Sequence, residues 1–595
     1  MSIKLPDNYQ KSIPKYSEYK KVLRLSPAGE DIILTRYLKR DADGFVVEDP
    51  LGMLYRVAKN IAQGDMRYGA NVKSTEALFF HHLAHQNIIP ASPILMNAGN
   101  TLQHLFSDHA LDVPDSLDEI FDVLKLAASI QQHGGGLGFS FSKVRPRLDS
   151  VSGMKNVAFG PLSVMHIFDT SFSAILQGGR RNGANMAIIH ISHPDILAFI
   201  NAKKNTSVLT NFNLSVAITN DFLDAVKADA GFDLINPRNG DLVKSVPAKV
   251  LFDKLVMQAW ETGDPGIVFI DEMNKKYPFK DRNVLCTGSC GQYELESFEG
   301  VPYAHINLTK ILIERDGKYF VDEDKLRLLV GISVHFLDNC LDVHRYPNDI
   351  IESKTKQVRK IGLGVLGFAD MLFKLGLSYG SEKCLALIRN LMKVIQEESR
   401  LASHNLALKR GPFPALRQST WQKKMRHATI TSIAPTGSTS IIANTSQSIE
   451  PVYAFSYTTT TSTGKEYTIL NESFKESIDS LAIDRVAKIQ LQFVDSVQKI
   501  SWLDASFKSI FKTAMDVSPS EHVQVMAAFQ EFVDNSISKT INLPHETTPE
   551  EIANIIWQAH ASGCKGITVY RDGCREDQVL SARAQTRLSA FEEEN

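Results

Sequence analysis

Short strand-like runs alternate with helical stretches through most of this chain. The runs lie at 183–191, 211–219, 266–272 and 427–435, and amphipathic segments separate them. A helical crossover returns the chain to the same end of a sheet, so strands connected in this way are usually parallel. The alternation therefore predicts an α/β fold built on mostly parallel strands.

Three helices have a clear start or end in the sequence. Residues 382–408 form a long amphipathic segment without glycine or proline, and Gly411 follows it. A second helix is predicted to begin at Ser116, where Glu119 completes the pattern of a capping box. A similar pattern places another helix start at Thr548.

We predict three regions along the chain. Residues 1–90 have the apolar spacing of packed helices, notably over 49–62 and 75–89. Residues 91–580 carry the alternating strands and helices, and the acidic stretch 581–595 is predicted to be a disordered tail. A chain of 595 residues is long enough for one large barrel with helical additions or for several domains.

Composition excludes several classes of protein. The formal net charge is −2, without a basic cluster of the kind that binds nucleic acid. The chain has no apolar run of membrane-spanning length and no signal peptide. Its six cysteines are irregularly spaced, which is typical of a reducing compartment. We therefore expect a cytoplasmic protein that binds neither nucleic acid nor membrane.

Cys290 lies in the segment LCTGSCGQ (285–292), where small residues allow a sharp turn into a crowded pocket. A free cysteine is usually an inert buried residue, so the segment alone does not establish a role. Cys286 and Cys290 would form half of a zinc site, but no second Cys/His pair has suitable spacing. The motifs around Cys290 favour a radical-carrying thiol.

Two segments rich in glycine or hydroxyl residues stand where strands meet helices. Such junctions offer free backbone N–H groups to an anion. In 133–146 four glycines permit close approach to a ligand, although a tight turn explains them equally well. The segment 433–451 is the strongest candidate for a phosphate cradle, which we define as residues 436–440. It lacks the lysine of a Walker loop, so nucleotide hydrolysis is not implied.

Together, the ordered motifs resemble the catalytic chain of ribonucleotide reductases over residues 30–580. The motifs are SPILMNAGN (92–100), DSLDEIFD (115–122), GGGLGFSFSKVRP (134–146), QGGRRNGANM (177–186), HPDILAFINAKK (193–204), NFNLSVAIT (211–219), GDPGIVF (263–269), INLTK (306–310), RKIGLGVLGFADML (359–372) and APTGSTSIIANTSQSIEP (434–451). The adenosylcobalamin-dependent branch, class II, is nearest, partly because residues 565–580 resemble its hairpin on the cofactor side.

The resemblance implies a ten-stranded α/β barrel. Its two five-stranded parallel halves are arranged antiparallel, and a finger loop near 285–293 carries Cys290 into the centre. In the family, a thiyl radical on that cysteine abstracts the 3′ hydrogen of a ribonucleotide. Residues 1–90 would form the helical N-terminal region in front of the barrel.

The resemblance also assigns binding residues. Adenosylcobalamin would contact Tyr570 and Arg571, and a nucleoside triphosphate effector would bind near 152–168 and 202–210 at the interface of a homodimer. The ribonucleoside di- or triphosphate substrate would be held by Ser92, Asn97, Gly135, Gly136, Pro435, Thr436, Gly437, Ser438, Thr439 and Ser440.

This chain departs from the family at its reducing groups. The family takes two electrons from a pair of cysteines that face one another, and here Asp108 and Val301 stand at those positions. The finger loop ends in Gln292 where the family has a glutamate, and an amide cannot accept a proton as a carboxylate does.

We therefore hypothesise that Cys290 still abstracts hydrogen from a nucleotide sugar, with Asp108 as the candidate acid/base and Gln292 as the third catalytic residue. The reaction would be a redox-neutral rearrangement or a reduction with an external donor such as formate or a small thiol. Three alternatives stay open: ordinary class II reduction to a 2′-deoxynucleotide, a catalytically silent nucleotide-binding regulatory paralogue, and an Asp108 that is simply a solvated loop residue.

Overall fold

The computed structural model describes residues 5, 9–177, 181–460, 466–492, 494 and 496–575. The predicted tail at 581–595 lies outside the described residues. Within the described ranges, every helix is too short or too polar to span a lipid bilayer.

Helices make up the N-terminal region and also alternate with the strands that follow it. The α-helices are α1 (Tyr16–Val22), α2 (Pro27–Ile32), α3 (Pro50–Ala62), α4 (Val72–Ala84), α5 (Ser92–Asn97), α6 (Leu117–Gln132), α7 (Gly160–Ser173), α8 (Ile196–Ile200), α9 (Asn220–Lys227), α10 (Ala248–Thr262), α11 (Ile270–Lys276), α12 (Glu323–Val343), α13 (Asp349–Val358), α14 (Phe368–Leu375), α15 (Glu382–Arg410), α16 (Gly437–Ala443), α17 (Glu472–Ser480), α18 (Arg485–Leu491), α19 (Ala505–Ile510), α20 (Pro519–Gln530) and α21 (Pro549–Ala561). A short π-helix spans Ile33–Tyr37.

Most strands lie between these helices, and several are only two residues long. The strands are β1 (Ile88–Pro90), β2 (Asp108–Asp112), β3 (Gly136–Ser140), β4 (Leu176–Gln177), β5 (Arg181–Asn182), β6 (Asn185–His190), β7 (Phe212–Ile218), β8 (Gly231–Ile235), β9 (Leu242–Pro247), β10 (Gly266–Phe269), β11 (Cys286–Thr287), β12 (Glu294–Leu295), β13 (Gly300–Val301), β14 (Tyr303–Asn307), β15 (Leu312–Arg315), β16 (Lys318–Val321), β17 (Gly362–Leu366), β18 (Ser456–Thr460), β19 (Glu466–Leu470), β20 (Thr540–Leu543) and β21 (Gly566–Arg571).

The first half of the barrel consists of β2, β3, β6, β7 and β10, and each neighbouring pair is parallel. β3 and β10 are buried along their whole length. Strands covered on both faces read as continuous apolar runs rather than as alternating ones. β6 and β7, which lie within the predicted runs 183–191 and 211–219, are each buried at all but one position, and this burial explains why both runs were recognisable in the sequence.

The second half is also parallel. β14 pairs with β17, β17 is bridged to Thr431, Ile433 is bridged to Ile537 ahead of β20, and β20 pairs with β21. The halves meet in antiparallel pairs, β10 with β21 and β13 with β2. The ten-stranded barrel with two antiparallel halves is therefore confirmed.

The N-terminal region packs its helices α3 and α4 together beside the barrel. The sequence predicted a helix over 75–89, but α4 ends at Ala84. Gln86 has a left-handed φ of 56°, which a helix does not tolerate, and the next residues form β1. Ile88 pairs with Ile306 of β14, so β-strand pairing overrides the helical spacing.

Two predicted capping boxes have different outcomes. Thr548 and Glu551 exchange the expected hydrogen bonds at the start of α21. Ser116 does precede α6, but its side chain makes no capping hydrogen bond, so that capping box is wrong. The long predicted helix is confirmed as α15, which ends where Gly411 adopts a φ of 87°.

The finger loop is the hairpin of β11 and β12, and it follows β10 and α11 into the barrel. Glycines of β3 make room for it. A Cβ on Gly136 would lie 2.7 Å from Oγ of Ser289, and a Cβ on Gly138 would overlap the carbonyl oxygen of Thr287. On the other side, Ser432 Oγ donates to the carbonyl oxygen of Gln292 at 2.7 Å. The hairpin thus contacts both halves of the barrel.

Candidate active site

A cavity of about 180 Å³ opens at the tip of the finger loop. The N-terminal region, both barrel halves and the finger loop all contribute to it. Its lining residues are Arg36, Tyr37, Ala91, Ser92, Pro93, Met96, Ser107, Asp108, Gly134, Ala184, Ser289, Cys290, Gln292, Tyr303, His305, Ala434, Pro435, Thr436, Gly437, Ser438 and Thr439. The thiol of Cys290 therefore stands in the same space as the phosphate cradle.

The structure brings most of the predicted site residues together. The three predicted catalytic residues line the cavity, and so do Ser92 and the predicted substrate residues from Pro435 to Thr439. Cys290 is half-buried, and its Sγ lies 3.7 Å from Oγ of Ser289. The sulfur is thus accessible from the cavity, as a reaction on a bound ligand requires.

Four predicted binding residues do not line the cavity. Asn97 donates from Nδ2 to the carbonyl oxygens of His104 (2.8 Å) and His133 (2.9 Å), and so fixes the glycine turn. Ser440 Oγ donates to the carbonyl oxygen of Gly437 at 2.9 Å. Gly135 and Gly136 give space to neighbouring side chains, since a Cβ there would lie 2.7 Å from Ile130 and Ser289 respectively.

Asp108 is 1% exposed at the start of β2 and its carboxylate accepts hydrogen bonds from the finger loop. Oδ1 accepts from the backbone N–H and from Oγ of Ser289, each at 2.6 Å, and Oδ2 accepts from Nε2 of Gln292 at 2.7 Å. Gly288 makes room, because a Cβ there would lie 2.9 Å from Cγ of Asp108. The solvated-loop alternative for Asp108 is therefore wrong.

Asp108 pairs directly with Val301 across the antiparallel strands β2 and β13. Val301 is fully buried and Cys286 is 1% exposed. Among the residues that line the cavity, Cys290 is the one thiol. In the part of the chain that the structure describes, no cluster of His, Cys, Asp and Glu has the arrangement of a metal site.

Two residues of the π-helix Ile33–Tyr37 belong to the site, although no motif in the sequence indicated it. Arg36 donates from Nη1 to Oγ of Ser438 at 3.1 Å, across 402 positions of the chain. The hydroxyls of Tyr37 and Ser92 lie 2.8 Å apart. π-Helices are frequent at functional sites, and this one adds a cation to the phosphate cradle.

Tyr303 and His305 are further site residues that sequence reasoning missed. Both lie on β14, opposite Gly362 and Gly364 of β17. A Cβ on Gly362 would overlap the Tyr303 ring, and one on Gly364 would lie 3.0 Å from Nδ1 of His305. The two glycines therefore create the space that these side chains occupy.

Burial changes the acidity of both groups. It lowers the pKa of His305 to about 4, so the imidazole is neutral at pH 7. Burial, followed by the charge of Asp108, raises the pKa of Tyr303 well above its usual value. Both side chains therefore face the cavity in their neutral forms.

Four buried polar atoms around the cavity have no hydrogen-bond partner among the described residues. They are Ser107 Oγ, Gln292 Oε1, Tyr303 Oη and His305 Nδ1. Buried polar atoms are almost always paired with protein or with ordered solvent or ligand. Their convergence favours a polar ligand with several hydroxyl groups.

A second cavity of about 370 Å³ lies near the C-terminal end of α16, and Tyr570 contributes to its wall. Arg571 is the next residue on β21 and points elsewhere, because successive strand residues face opposite sides. Its guanidinium stacks 4.2 Å above the Trp260 ring and donates to the carbonyl oxygens of Trp260 (3.2 Å) and His545 (3.0 Å). Of the two residues predicted to bind cofactor, Tyr570 lines this cavity and Arg571 does not.

Comparison with known proteins agrees with this geometry. Residues 23–103 match the family model "Ribonucleotide reductase, all-alpha domain", and residues 107–429 and 424–570 match "Ribonucleotide reductase, barrel domain". The computed structure is similar to the Actinobacillus ureae class Id ribonucleotide reductase alpha subunit. The TM-score is 0.75 at 22% identity, covering 92% of this chain and 97% of that one.

Two relatives are similar over most of their length. The vitamin B12-dependent ribonucleoside-diphosphate reductase of Thermoplasma acidophilum is 40% identical over 565 residues, which are 94% of this chain and 72% of the relative. The protein of the same name from Mycobacterium tuberculosis (strain CDC 1551 / Oshkosh) is 38% identical over 581 residues, with 96% and 82% covered. The chain therefore belongs to the ribonucleotide reductase family.

Proposed function

We propose that this chain is a cobalamin-dependent radical enzyme that acts on ribonucleotides through a thiyl radical on Cys290. The observation that carries the proposal is the shared cavity. The thiol, the hydroxyl-rich cradle and four buried polar atoms without a hydrogen-bond partner among the described residues all border one space. A ribonucleotide supplies what each of them needs: a sugar C–H bond, a phosphate and several hydroxyl groups.

The cradle and Arg36 hold the phosphates in this proposal. Thr436 has a left-handed φ of 57°, which turns the chain into α16 beside the cavity. Hydroxyls and backbone N–H groups of such a turn bind anions, and Arg36 adds a positive charge beside Ser438. The sugar is thereby directed toward Cys290 at the other end of the cavity.

Asp108 is the acid/base of the proposal. Hydrogen abstraction from a carbon that carries a hydroxyl makes that hydroxyl more acidic, and a nearby carboxylate accepts its proton. Ser289 and Gln292 hold the carboxylate in place by three hydrogen bonds. Asp108 takes over the role that a finger-loop glutamate has in the family.

The reaction is redox-neutral in this proposal, because Asp108 and Val301 leave the site without a pair of thiols. Hydrogen taken from the sugar is returned after rearrangement, and no net electrons are consumed. The second candidate is reduction to a 2′-deoxynucleotide with an external donor. The names of the relatives, which are reductases of ribonucleoside diphosphates, support that candidate.

Adenosylcobalamin is proposed as the cofactor because the relatives are named vitamin B12-dependent. The lining of the cavity beside Tyr570 matches the chemistry of a corrin rim, which carries amide groups, because amide and phenol side chains line it. The residues that would hold it are Asn444, Tyr453, Tyr457, Asn471, Asn542 and Tyr570. When bound, the cofactor supplies a weak cobalt–carbon bond as the source of the radical.

We also propose that the chain forms a homodimer and that a nucleoside triphosphate effector binds near the dimer interface. α6 and α7 pack together, and large apolar side chains are exposed on both helices and on the segment 154–159 that precedes α7. They are Leu117, Phe121, Met154, Val157, Phe159 and Ile167. Clustered apolar residues of this size on a protein surface mark an interaction site. A second copy would cover them and bring the effector segments 152–168 and 202–210 near the interface.

The test is incubation with adenosylcobalamin and each of the four ribonucleoside diphosphates, with products separated by mass and by sugar analysis. An isomer of unchanged mass supports the redox-neutral proposal, and 2′-deoxynucleotide formed with a dithiol supports the second candidate. Cys290→Ala should bind nucleotide with the same isotherm and give no product. Tight binding without product from the unaltered chain would identify a regulatory paralogue and refute the enzyme.

A further inference from the structure

Tyr303 places a buried phenol beside the reactive thiol. Its side chain is 1% exposed and lines the same cavity as Cys290. Burial, and then the Asp108 carboxylate that faces the hydroxyl, raise the pKa of Tyr303, and no other described residue hydrogen-bonds that hydroxyl. Tyr303 is also close enough to Cys290 for the two groups to interact electrostatically.

The neighbouring Tyr293 shows what a structural tyrosine looks like here. Its ring meets the Tyr303 ring edge-on, with centroids 5.8 Å apart. Its hydroxyl donates to the carbonyl oxygen of Ile361 at 2.8 Å and lies 2.8 Å from Oγ1 of Thr429. Tyr293 does not line the cavity. The two adjacent buried phenols therefore differ in their surroundings. The Tyr293 hydroxyl is held by Ile361 and Thr429, whereas Tyr303 lines the cavity that contains the thiol.

We propose that Tyr303 is the second hydrogen-atom donor of the site and returns hydrogen to the sugar radical that Cys290 creates. This inference rests on the proposed function, since it requires abstraction by Cys290. It explains how a site with one thiol in its cavity completes a turnover. A tyrosine serves because a phenolic O–H bond, a thiol S–H bond and an activated sugar C–H bond have similar strengths.

The steps balance without an outside oxidant or reductant. The Cys290 thiyl radical takes hydrogen from the sugar carbon, which forms an S–H bond and leaves a carbon radical. Tyr303 gives its hydroxyl hydrogen to that carbon and becomes a tyrosyl radical. The tyrosyl radical takes the hydrogen from Cys290, which restores the phenol and the thiyl radical. In one cycle the phenolic hydrogen passes to the sugar and the sugar hydrogen passes through Cys290 to Tyr303, and no electrons are gained or lost.

The other groups around the cavity are less suited to this step. Val301, the residue two positions before Tyr303, offers only strong aliphatic C–H bonds. Asp108 is already an acceptor of three hydrogen bonds from the finger loop. His305 is a neutral imidazole, and its N–H bond is stronger than a phenolic O–H bond. Tyr303 is thus the residue at the cavity whose chemistry matches a hydrogen-atom donor.

The experiment uses two substrates with adenosylcobalamin present. The first is adenosine diphosphate deuterated at the 3′ carbon, which reports the return of hydrogen. In ordinary water, Tyr303 should replace the deuterium with hydrogen, since a phenol exchanges with solvent between turnovers. The second is 2′-chloro-2′-deoxyadenosine diphosphate, which reports abstraction alone, because a radical at the 3′ carbon expels chloride from its neighbour.

Tyr303→Phe should lose deuterium washout by at least about tenfold while it keeps chloride release and the nucleotide-binding isotherm of the cofactor-free protein. Tyr293→Phe, the matched control, should keep both reactions. Washout by Tyr303→Phe at the rate of the unaltered chain would overturn the inference. So would parallel loss of chloride release, which would make Tyr303 a positioning residue. If the unaltered chain shows neither reaction, the proposed function itself fails.

Discussion

The amide nitrogen of Gln292 donates a hydrogen bond to Oδ2 of Asp108 over 2.7 Å, and so joins the tip of the finger loop to the barrel wall. The pair is buried, with Asp108 1% and Gln292 3% exposed. An amide suits this position because it can donate to a carboxylate. A glutamate there would face Asp108 as a second negative charge.

Gln292→Glu is therefore expected to make stability depend on pH. Two adjacent buried carboxyl groups cannot both ionise, so the pKa of the pair rises above the value near 4.3 of an unfolded glutamate. The unfolded chain then loses protons first, and the free energy of unfolding of the variant should fall as pH rises from about 4 to 7. Urea unfolding at both ends of this pH range measures the change in the free energy of unfolding. Gln132→Glu, at the exposed end of α6, is the control, and an equal loss at both pH values would contradict the prediction.

His305 is expected to make the folded protein sensitive to acid. Burial lowers the pKa of His305 to about 4, whereas an unfolded histidine titrates near 6.5. Between these values the unfolded chain binds one more proton than the folded chain. The free energy of unfolding should then fall with decreasing pH by up to about 1.4 kcal/mol per pH unit.

His305→Asn should reduce the slope of that dependence in unfolding experiments between pH 6.5 and 4, while other buried histidines such as His82 keep their own contribution. His166→Asn, which alters an exposed histidine of α7, should leave the slope as it was. Identical slopes for the unaltered chain and His305→Asn would show that His305 does not contribute.

Arg36→Ala is expected to weaken phosphate binding. The guanidinium lies beside the cradle through its hydrogen bond to Ser438, and a charge-assisted hydrogen bond contributes about 1.5–3 kcal/mol. The dissociation constant of a ribonucleoside diphosphate should rise by about 10- to 100-fold, while that of the free nucleoside stays the same. Calorimetric titration measures both. Lys39→Ala, an exposed neighbour, is the control, and equal weakening of nucleoside and diphosphate would argue against a phosphate contact.

Phe121→Asp is expected to convert a dimer into a monomer. Phe121 is 49% exposed within the apolar surface of α6 and α7, and a buried unpaired charge there would oppose association. Sedimentation over a range of protein concentrations measures the change. Leu328→Asp removes a similarly exposed residue, 56% exposed on α12, and should leave the dimer intact. A monomer before any substitution would refute the proposed interface.

The barrel was predictable because each strand-like run is visible in a short stretch of sequence, and because the motifs follow one another in the same order as in the family they resemble. Runs such as 211–219 are mostly apolar and β-branched or aromatic, which is typical of a buried strand, and the finger loop around Cys290 was identified through the family resemblance. The end of α4 was not predictable in this way. Its apolar spacing continues to Ile89, and only the pairing of β1 with β14 shows where the helix stops.

The missing parts of the site depend on contacts between distant segments. Arg36 reaches Ser438 across 402 positions, and no pattern near either residue indicates this contact. Tyr303 and His305 look like ordinary members of a buried strand. Their access to the cavity depends on Gly362 and Gly364, which lie opposite them on a neighbouring strand. The sequence of one strand does not reveal which residues of another strand it will pair with.

The glycines of β3 have a consequence for protein engineering. The position of the sulfur atom is set by the wall against which the hairpin rests, since Gly136 and Gly138 leave the space that Ser289 and Thr287 fill. Residues 286–295 grafted into another scaffold would position a reactive thiol only if the supporting strand also had glycines at the positions of Gly136 and Gly138. The smallest transferable unit is a hairpin together with its supporting strand.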